Sequence, residues 1–257
     1  MKLFKSLLVL AALSGCGADG PYVLVHGAWM GAWSWDTVAQ SLRARGSQVS
    51  TVELPAHGED QTPVSGATLD AYVNATVAAI DAQSKPVILV GHSMGGAVIT
   101  QVAERVPEKI SGLVYLAAYV PANGQSLLDL AMTDGDSHAG AVLQINGEEG
   151  TGAIPQESLQ DVFCADCPGL RLSALQSNYR DEPLAPLGTP LSTTGEGWGR
   201  VRKYYVYTTQ DHAVSYPLQQ RMTQGITFAG TATLDASHSP QLSRPAEVLE
   251  ALESFER

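Results

Sequence analysis

Five short segments of hydrophobic and β-branched residues, the last rich in tyrosine, read as strands at residues 21–25, 48–54, 86–90, 110–116 and 203–208, and a sixth ends near Leu234. The run at 86–90, near-continuous rather than alternating, fits a strand of a parallel sheet covered on both faces. Between these segments apolar residues recur at three- and four-residue steps. Over 69–83 the stripe is Leu69, Tyr72, Val73, Thr76, Val77 and Ile80. Over 33–45 it is Trp33, Val38 and Leu42, with Gly46 as the stop. Residues 96–105, 217–224 and 245–255 predict further helices, the last with Pro245 in its first turn, where a missing N–H is harmless. Such alternation predicts an α/β fold with a doubly wound, mostly parallel sheet. The rhythm stops between about 121 and 200. That stretch holds 11 Asp/Glu against three Lys/Arg, is rich in Gly, Pro and Ser, and shows no sheet periodicity. It is expected to be an inserted cap, partly helical, over the carboxyl edge of the sheet. At 257 residues and 44% hydrophobic, the chain suits one such domain better than two small ones.

A formal net charge of −11 disfavours an electrostatically driven nucleic-acid partner. The first residues follow a different pattern. Lys2 and Lys5 precede an apolar stretch over 7–13 that is too short to span a bilayer. Leu13-Ser14-Gly15-Cys16 is similar to a bacterial lipobox. That resemblance implies a signal peptide over 1–15, a mature domain over 16–257, and lipid on Cys16. The expectation is an exported lipoprotein that meets the membrane through this lipid only. Gly17, where an inner-membrane retention signal has Asp, points to an outer membrane if the source has one. Cys164 and Cys167 then remain as a pair. Cys164-Ala165-Asp166-Cys167 has three readings: a redox motif, half a zinc site, or a short disulfide. No second cysteine pair and no His-x-His completes a metal site. Pro168-Gly169 follows where a redox motif would open a helix. In an oxidising compartment a local disulfide is expected, with no metal.

Gly91-His92-Ser93-Met94-Gly95 joins the run at 86–90 to the helix at 96–105. A serine on so sharp a turn exposes its Oγ, and a side chain at either glycine would clash across the turn. The helix N-terminus adds backbone N–H groups and a positive dipole end for an oxyanion. A Gly/Ser-rich turn without chemistry is the simpler reading, but the strand before and the helix after favour Ser93 as a nucleophile. Such a serine needs a base, and the base an orienting acid. Of six histidines, His26 has the setting of a loop brace, and His92 is too close in sequence to turn back on Ser93. His57 lies in a turn and His138 in the cap. His212, beside an acid, is the rival to His238, which follows a strand end and leads towards the last helix. Chain order after the elbow favours His238. Asp211 follows the strand at 203–208, whereas Asp235 stands only three residues before His238. The segment after 110–116 reads Ala117-Ala118-Tyr119 and offers no acid. Asp211 is therefore the expected acid.

The chain resembles the α/β-hydrolase superfamily over nearly all of 21–257. Tyr22-Val23-Leu24-Val25-His26-Gly27-Ala28-Trp29-Met30-Gly31-Ala32-Trp33, Gln210-Asp211 and the segment from Ser237 to Pro245 resemble one branch of it. That branch holds plant methyl esterases and hydroxynitrile lyases, with bacterial carboxylesterases and pyrethroid hydrolases of similar pattern. The resemblance implies an oxyanion hole from the backbone N–H groups of Ala28 and Met94. One donor after the nucleophile and one after the first strand is also what the chemistry needs. The resemblance does not account for the Cys164/Cys167 pair.

The expected activity is carboxylic-ester hydrolysis through an acyl-enzyme, with no metal or organic cofactor. Lyases of the branch carry threonine where this chain has Gly27 and lysine where it has Ser239. Lys85, Lys109 and Lys203 all precede or open strands, so they belong at the edge of the sheet away from the chemistry. A receptor that hydrolyses its ligand slowly is the alternative from another class. The expected substrate is a small apolar ester. Leu127, Leu128, Leu130 and Met132 are candidates for an apolar roof, and Trp29, Trp33 and Trp35 for a wall. Core packing accounts equally well for each of them. The acidic cap disfavours polyanionic substrates, and the oligomeric state has no signature.

Overall fold

The computed structural model describes residues 20–255. Cys16 and the predicted signal segment lie outside them. Six strands form one all-parallel sheet: β1 (Tyr22–Val25), β2 (Val49–Val52), β3 (Val87–His92), β4 (Ile110–Leu116), β8 (Lys203–Thr208) and β9 (Gly230–Leu234). Their order is β2-β1-β3-β4-β8-β9. Between them run α1 (Asp36–Ala44), α2 (Leu69–Asp81) and α3 (Gly95–Arg105), then α9 (Tyr216–Thr223), α10 (Pro240–Ser243) and α11 (Pro245–Ser254). The cap between β4 and β8 holds α4 (Leu127–Ala131), α5 (His138–Val142), α6 (Leu159–Phe163), α7 (Gly169–Asn178) and α8 (Leu184–Gly188). It also holds a small antiparallel sheet of β5 (Gln144–Asn146), β6 (Thr151–Ala153) and β7 (Glu182–Pro183). No helix among the described residues is long and apolar enough to cross a membrane.

All four residues of β1 are fully buried, as a doubly covered strand requires. Successive side chains serve opposite faces. Val23, Val25, Leu89, Leu113 and Tyr115 join Tyr72, Ile80, Val98 and Ile99 of α2 and α3 in one core. Tyr22, Leu24, Val90, Val114 and Val206 join Val38, Leu42, Val248 and Leu252 of α1 and α11 in the other. Each fully buried aliphatic side chain contributes about 1.5–3 kcal/mol to holding these layers together.

One expectation needs correction. Trp33 is only partly buried, because residues 32–35 form a 3₁₀ turn before α1, and its different period brings Trp35 into the core instead. The cap is partly helical, and it also holds a small sheet that the sequence did not predict. Its small sheet went unseen because strands of two or three residues carry no readable alternation.

Candidate active site

The sheet order reverses between β1 and β3. At such a switch point the loops leaving neighbouring strands open a crevice at their carboxyl ends. Ala28 follows β1 and Ser93 follows β3, so the two meet there. Ser93 has φ of 53°, a left-handed conformation for a non-glycine residue. It is held by its N–H donating to Leu116 O at 3.2 Å and its carbonyl accepting from Tyr119 N–H at 3.1 Å. The glycines around it leave no room for a side chain. A Cβ at Gly91 would stand 2.6 Å from Gly95 O, and one at Gly95 2.8 Å from His26 O.

His238 lies after β9 with its ring almost fully buried, and its Nδ1 faces the Asp211 carboxylate at 2.9 and 3.0 Å. Asp211 also accepts from the Ala213 and Val214 N–H groups at 2.9 and 2.8 Å, the Thr208 hydroxyl at 2.8 Å and the Gln219 amide at 3.1 Å. Asp235 faces away, accepting from Thr209 and Gln210 at 3.0 Å each. His92 has a use that the sequence did not reveal. Burial, then the neighbouring His238, pushes its pKa well below the ordinary histidine value, so it stays neutral. Its Nε2–H donates to His238 O at 2.8 Å, and the two rings lie 4.7 Å apart. The residue before Ser93 thus holds the backbone of His238 beside it. Among the described residues none takes the other ring nitrogen of His238, Nε2.

Ala28, Ser93 and Met94 line one pocket together with Trp29, Tyr119, Leu127, Leu128, Leu143, Phe163, Leu187 and Val214. Among the described residues, no acceptor takes the N–H of Ala28 or Met94. The lining includes no Lys, Arg, Asp or Glu. Of the four roof candidates, Leu127 and Leu128 take that position, Leu130 packs in the core and Met132 is 80% exposed. Of the three tryptophans only Trp29 lines the pocket. Trp35 lies in the core that includes α1 and α11, and Trp33 is at a surface groove.

Trp29 has φ of 60° and is tied to the cap twice, its N–H donating to Glu182 at 2.8 Å and its indole to Gly152 O at 2.8 Å. Glu182 meets His57 Nε2 at 2.8 Å, with both side chains fully buried. Burial alone would lower the pKa of His57, but the charge and hydrogen bond of Glu182 outweigh it and raise the value. His26 is a brace, its Nε2 accepting from Leu54 N–H at 3.2 Å, and burial lowers its pKa to about 3. Cys164 and Cys167 are joined as a disulfide with Cα atoms 5.1 Å apart. Phe163, just before them, lies 5.9 Å from the His238 ring, and Asp166 within the loop accepts from Ser237. His138, Asp161 and His212 converge at the rim. Spread over three elements, they left no linear signature.

Residues 22–251 match the Alpha/beta hydrolase family, and the chain belongs to it. The fold and the branch expected from the elbow and the first-strand segment both hold. Within the family, the chain is 32% identical over 236 residues to putative methylesterase 11, chloroplastic, of Arabidopsis thaliana. That match covers 87% of this chain and only 60% of the plant protein's length. It is 30% identical over 249 residues to a pyrethroid hydrolase of Sphingobium wenxiniae, covering 91% of this chain and 86% of that one. The crystal structure of a pyrethroid hydrolase from Sphingobium faniae JZ-2 superposes with a TM-score of 0.83 at 27% identity, covering 92% of this chain and 97% of that one.

Proposed function

We propose that the protein is a carboxylic-ester hydrolase in which Ser93 is the nucleophile, His238 the general base and Asp211 the acid that orients it. The reading is carried by one observation: a serine held in the left-handed region opens onto an apolar pocket, and the residue before it binds the carbonyl of a histidine whose Nδ1 is engaged by a buried carboxylate. With Nδ1–H committed to Asp211, Nε2 carries the lone pair that takes the Ser93 proton as Oγ attacks the acyl carbon. The developing oxyanion meets the N–H groups of Ala28 and Met94, each worth on the order of 10²–10³ in rate where such donors have been removed. His238 then returns the proton to the leaving alcohol, and water attacks the acyl-enzyme by the same route.

The lining favours a small ester with apolar groups on both sides of the carbonyl. Hydrolases and esterases among the relatives support the reaction class. Carbon–carbon cleavage with loss of cyanide fits worse. The pocket lacks a cationic side chain, and a Cβ at Gly27 would stand 2.8 Å from both His92 Nδ1 and Ser93 Cβ. An active-site-directed organophosphonate should label Ser93 stoichiometrically, and Ser93→Ala should abolish both labelling and p-nitrophenyl ester turnover. A label found on another residue would overturn the assignment.

The N-terminal pattern supports a further part of this reading, that Cys16 carries lipid and anchors an exported enzyme. Mass spectrometry of the native mature N-terminus should find diacylglyceryl-cysteine. Recovery of Met1 or Lys2 in the mature protein would refute it.

A further inference from the structure

Outside the pocket, three metal-ligating side chains from three separate elements meet at the rim of the cap. His138 opens α5, Asp161 lies in α6, and His212 follows β8 next to Asp211. His138 Nδ1 is 2.7 Å from Asp161 Oδ2, and His212 Nδ1 is 3.0 Å from Asp161 Oδ1 and 3.1 Å from its carbonyl. The three ligand atoms lie within 4.8 Å of one another. We propose that His138, Asp161 and His212 bind one divalent transition-metal ion of the Zn²⁺ type, which staples the cap to the loop that carries Asp211.

The backbone organises the site in advance. His138 N–H donates to His212 O at 2.8 Å, and the Ser137 hydroxyl donates to Ala213 O at 2.8 Å. These bonds set the two imidazoles side by side, with centroids 4.2 Å apart and both Nδ1 atoms turned to one carboxylate. Zn²⁺ with bonds of about 2.0–2.2 Å to nitrogen and oxygen spaces its ligand atoms by roughly 3.3 Å in a tetrahedron. The atoms here need only small rotations to reach that spacing. The donor set chooses the metal class. Two imidazoles and one carboxylate suit Zn²⁺ and its Ni²⁺ and Cu²⁺ neighbours, whereas Ca²⁺ and Mg²⁺ call for oxygen alone. The ion replaces the hydrogen atoms now between the rings and Asp161. On ligating, each neutral imidazole carries its single proton on Nε2 instead of Nδ1 and presents the Nδ1 lone pair, a tautomer shift that needs no redox partner. The side chains are 47%, 56% and 35% exposed, which gives an ion access and leaves a fourth position to water.

The test reads binding, so it stands or falls separately from the esterase reading. Purified protein is stripped with EDTA, dialysed and titrated with ZnCl₂ by calorimetry, and Co²⁺ is followed by visible absorption. One ion per chain is expected, with a rise in melting temperature. His138→Ala and His212→Ala should each weaken binding at least tenfold, and Asp161→Asn should weaken it while keeping both rings. His238→Ala should leave the stoichiometry unchanged. Melting curves without metal establish that each variant is folded. No binding up to millimolar Zn²⁺, equal affinity in the His138→Ala/His212→Ala double variant, or loss of the ion in His238→Ala would each overturn the proposal.

Discussion

Asp211 and Asp235 are both aspartates near a strand end, and what separates them is the company of their oxygens. Asp211 is buried and accepts from two backbone N–H groups, a hydroxyl and an amide besides His238. These donors fix the orientation of the Asp211 carboxylate, which in turn fixes the imidazole tautomer. Asp235 is exposed and, among the described residues, accepts from Thr209 and Gln210 alone, whose hydrogen bonds lower its pKa, the Gln210 bond foremost. Asp211→Asn should therefore reduce kcat on an activated ester by on the order of 10⁴, as expected when a triad acid can no longer hold the tautomer. Asp235→Asn should change it less than about threefold, in keeping with a surface substitution. Steady-state kinetics on the two variants decide the matter, and a crippled Asp235→Asn beside a mild Asp211→Asn would reverse the assignment.

Among elements, the inner strands β1, β3 and β4 were readable because each is a largely apolar run with both faces covered. By contrast, β2 (Val49-Ser50-Thr51-Val52) and β9 (Gly230-Thr231-Ala232-Thr233-Leu234) mix in polar residues and are only partly buried. The elbow was readable for a stricter reason. Gly91 and Gly95 sit where a Cβ would approach within 3 Å of backbone atoms, so few other sequences can make the turn. The cap obeyed neither rule. Its strands are two or three residues long, and the core around Ile154, Leu159, Phe163 and Leu175 is assembled from elements far apart in sequence. The loop after β9 was also coarser in the sequence than in space. The short α10 intervenes before α11, and Gln241 in it reaches His92 Nδ1 at 3.2 Å. Trp33 and Trp35 show how a change of period misleads. A helical spacing counted from Trp33 passes through a 3₁₀ turn, and the buried position moves two residues along. Contacts between cap and sheet were the illegible part, since each depends on where a whole element docks.

Across the whole molecule, the cap and the sheet are joined at the loop after β1 by a buried charge pair. Glu182 of β7 holds both His57 and the Trp29 N–H, and Trp29 follows Ala28 directly. His57 in turn packs against His26 and Tyr72, with ring centroids 4.9 and 5.5 Å away. Because Glu182 raises the pKa of His57 in the folded state despite burial, folding favours the imidazolium. The stability this adds is fully present below the unfolded histidine pKa of about 6.5, provided Glu182 stays ionised, and is lost as pH rises through the folded value. Removing one partner of a buried pair costs about 3–5 kcal/mol, since the other is left without compensation. Glu182→Gln should therefore destabilise the protein by an amount of that order at pH 5.5, measured by urea unfolding. The gap from the parent protein should narrow steadily towards pH 9, because the parent loses its imidazolium there while the variant has little left to lose. His57→Gln should show the same trend. A gap that stays constant from pH 5.5 to 9 would mean that the pair acts as a neutral hydrogen bond, and that charge plays no part in fastening the cap to the loop after β1.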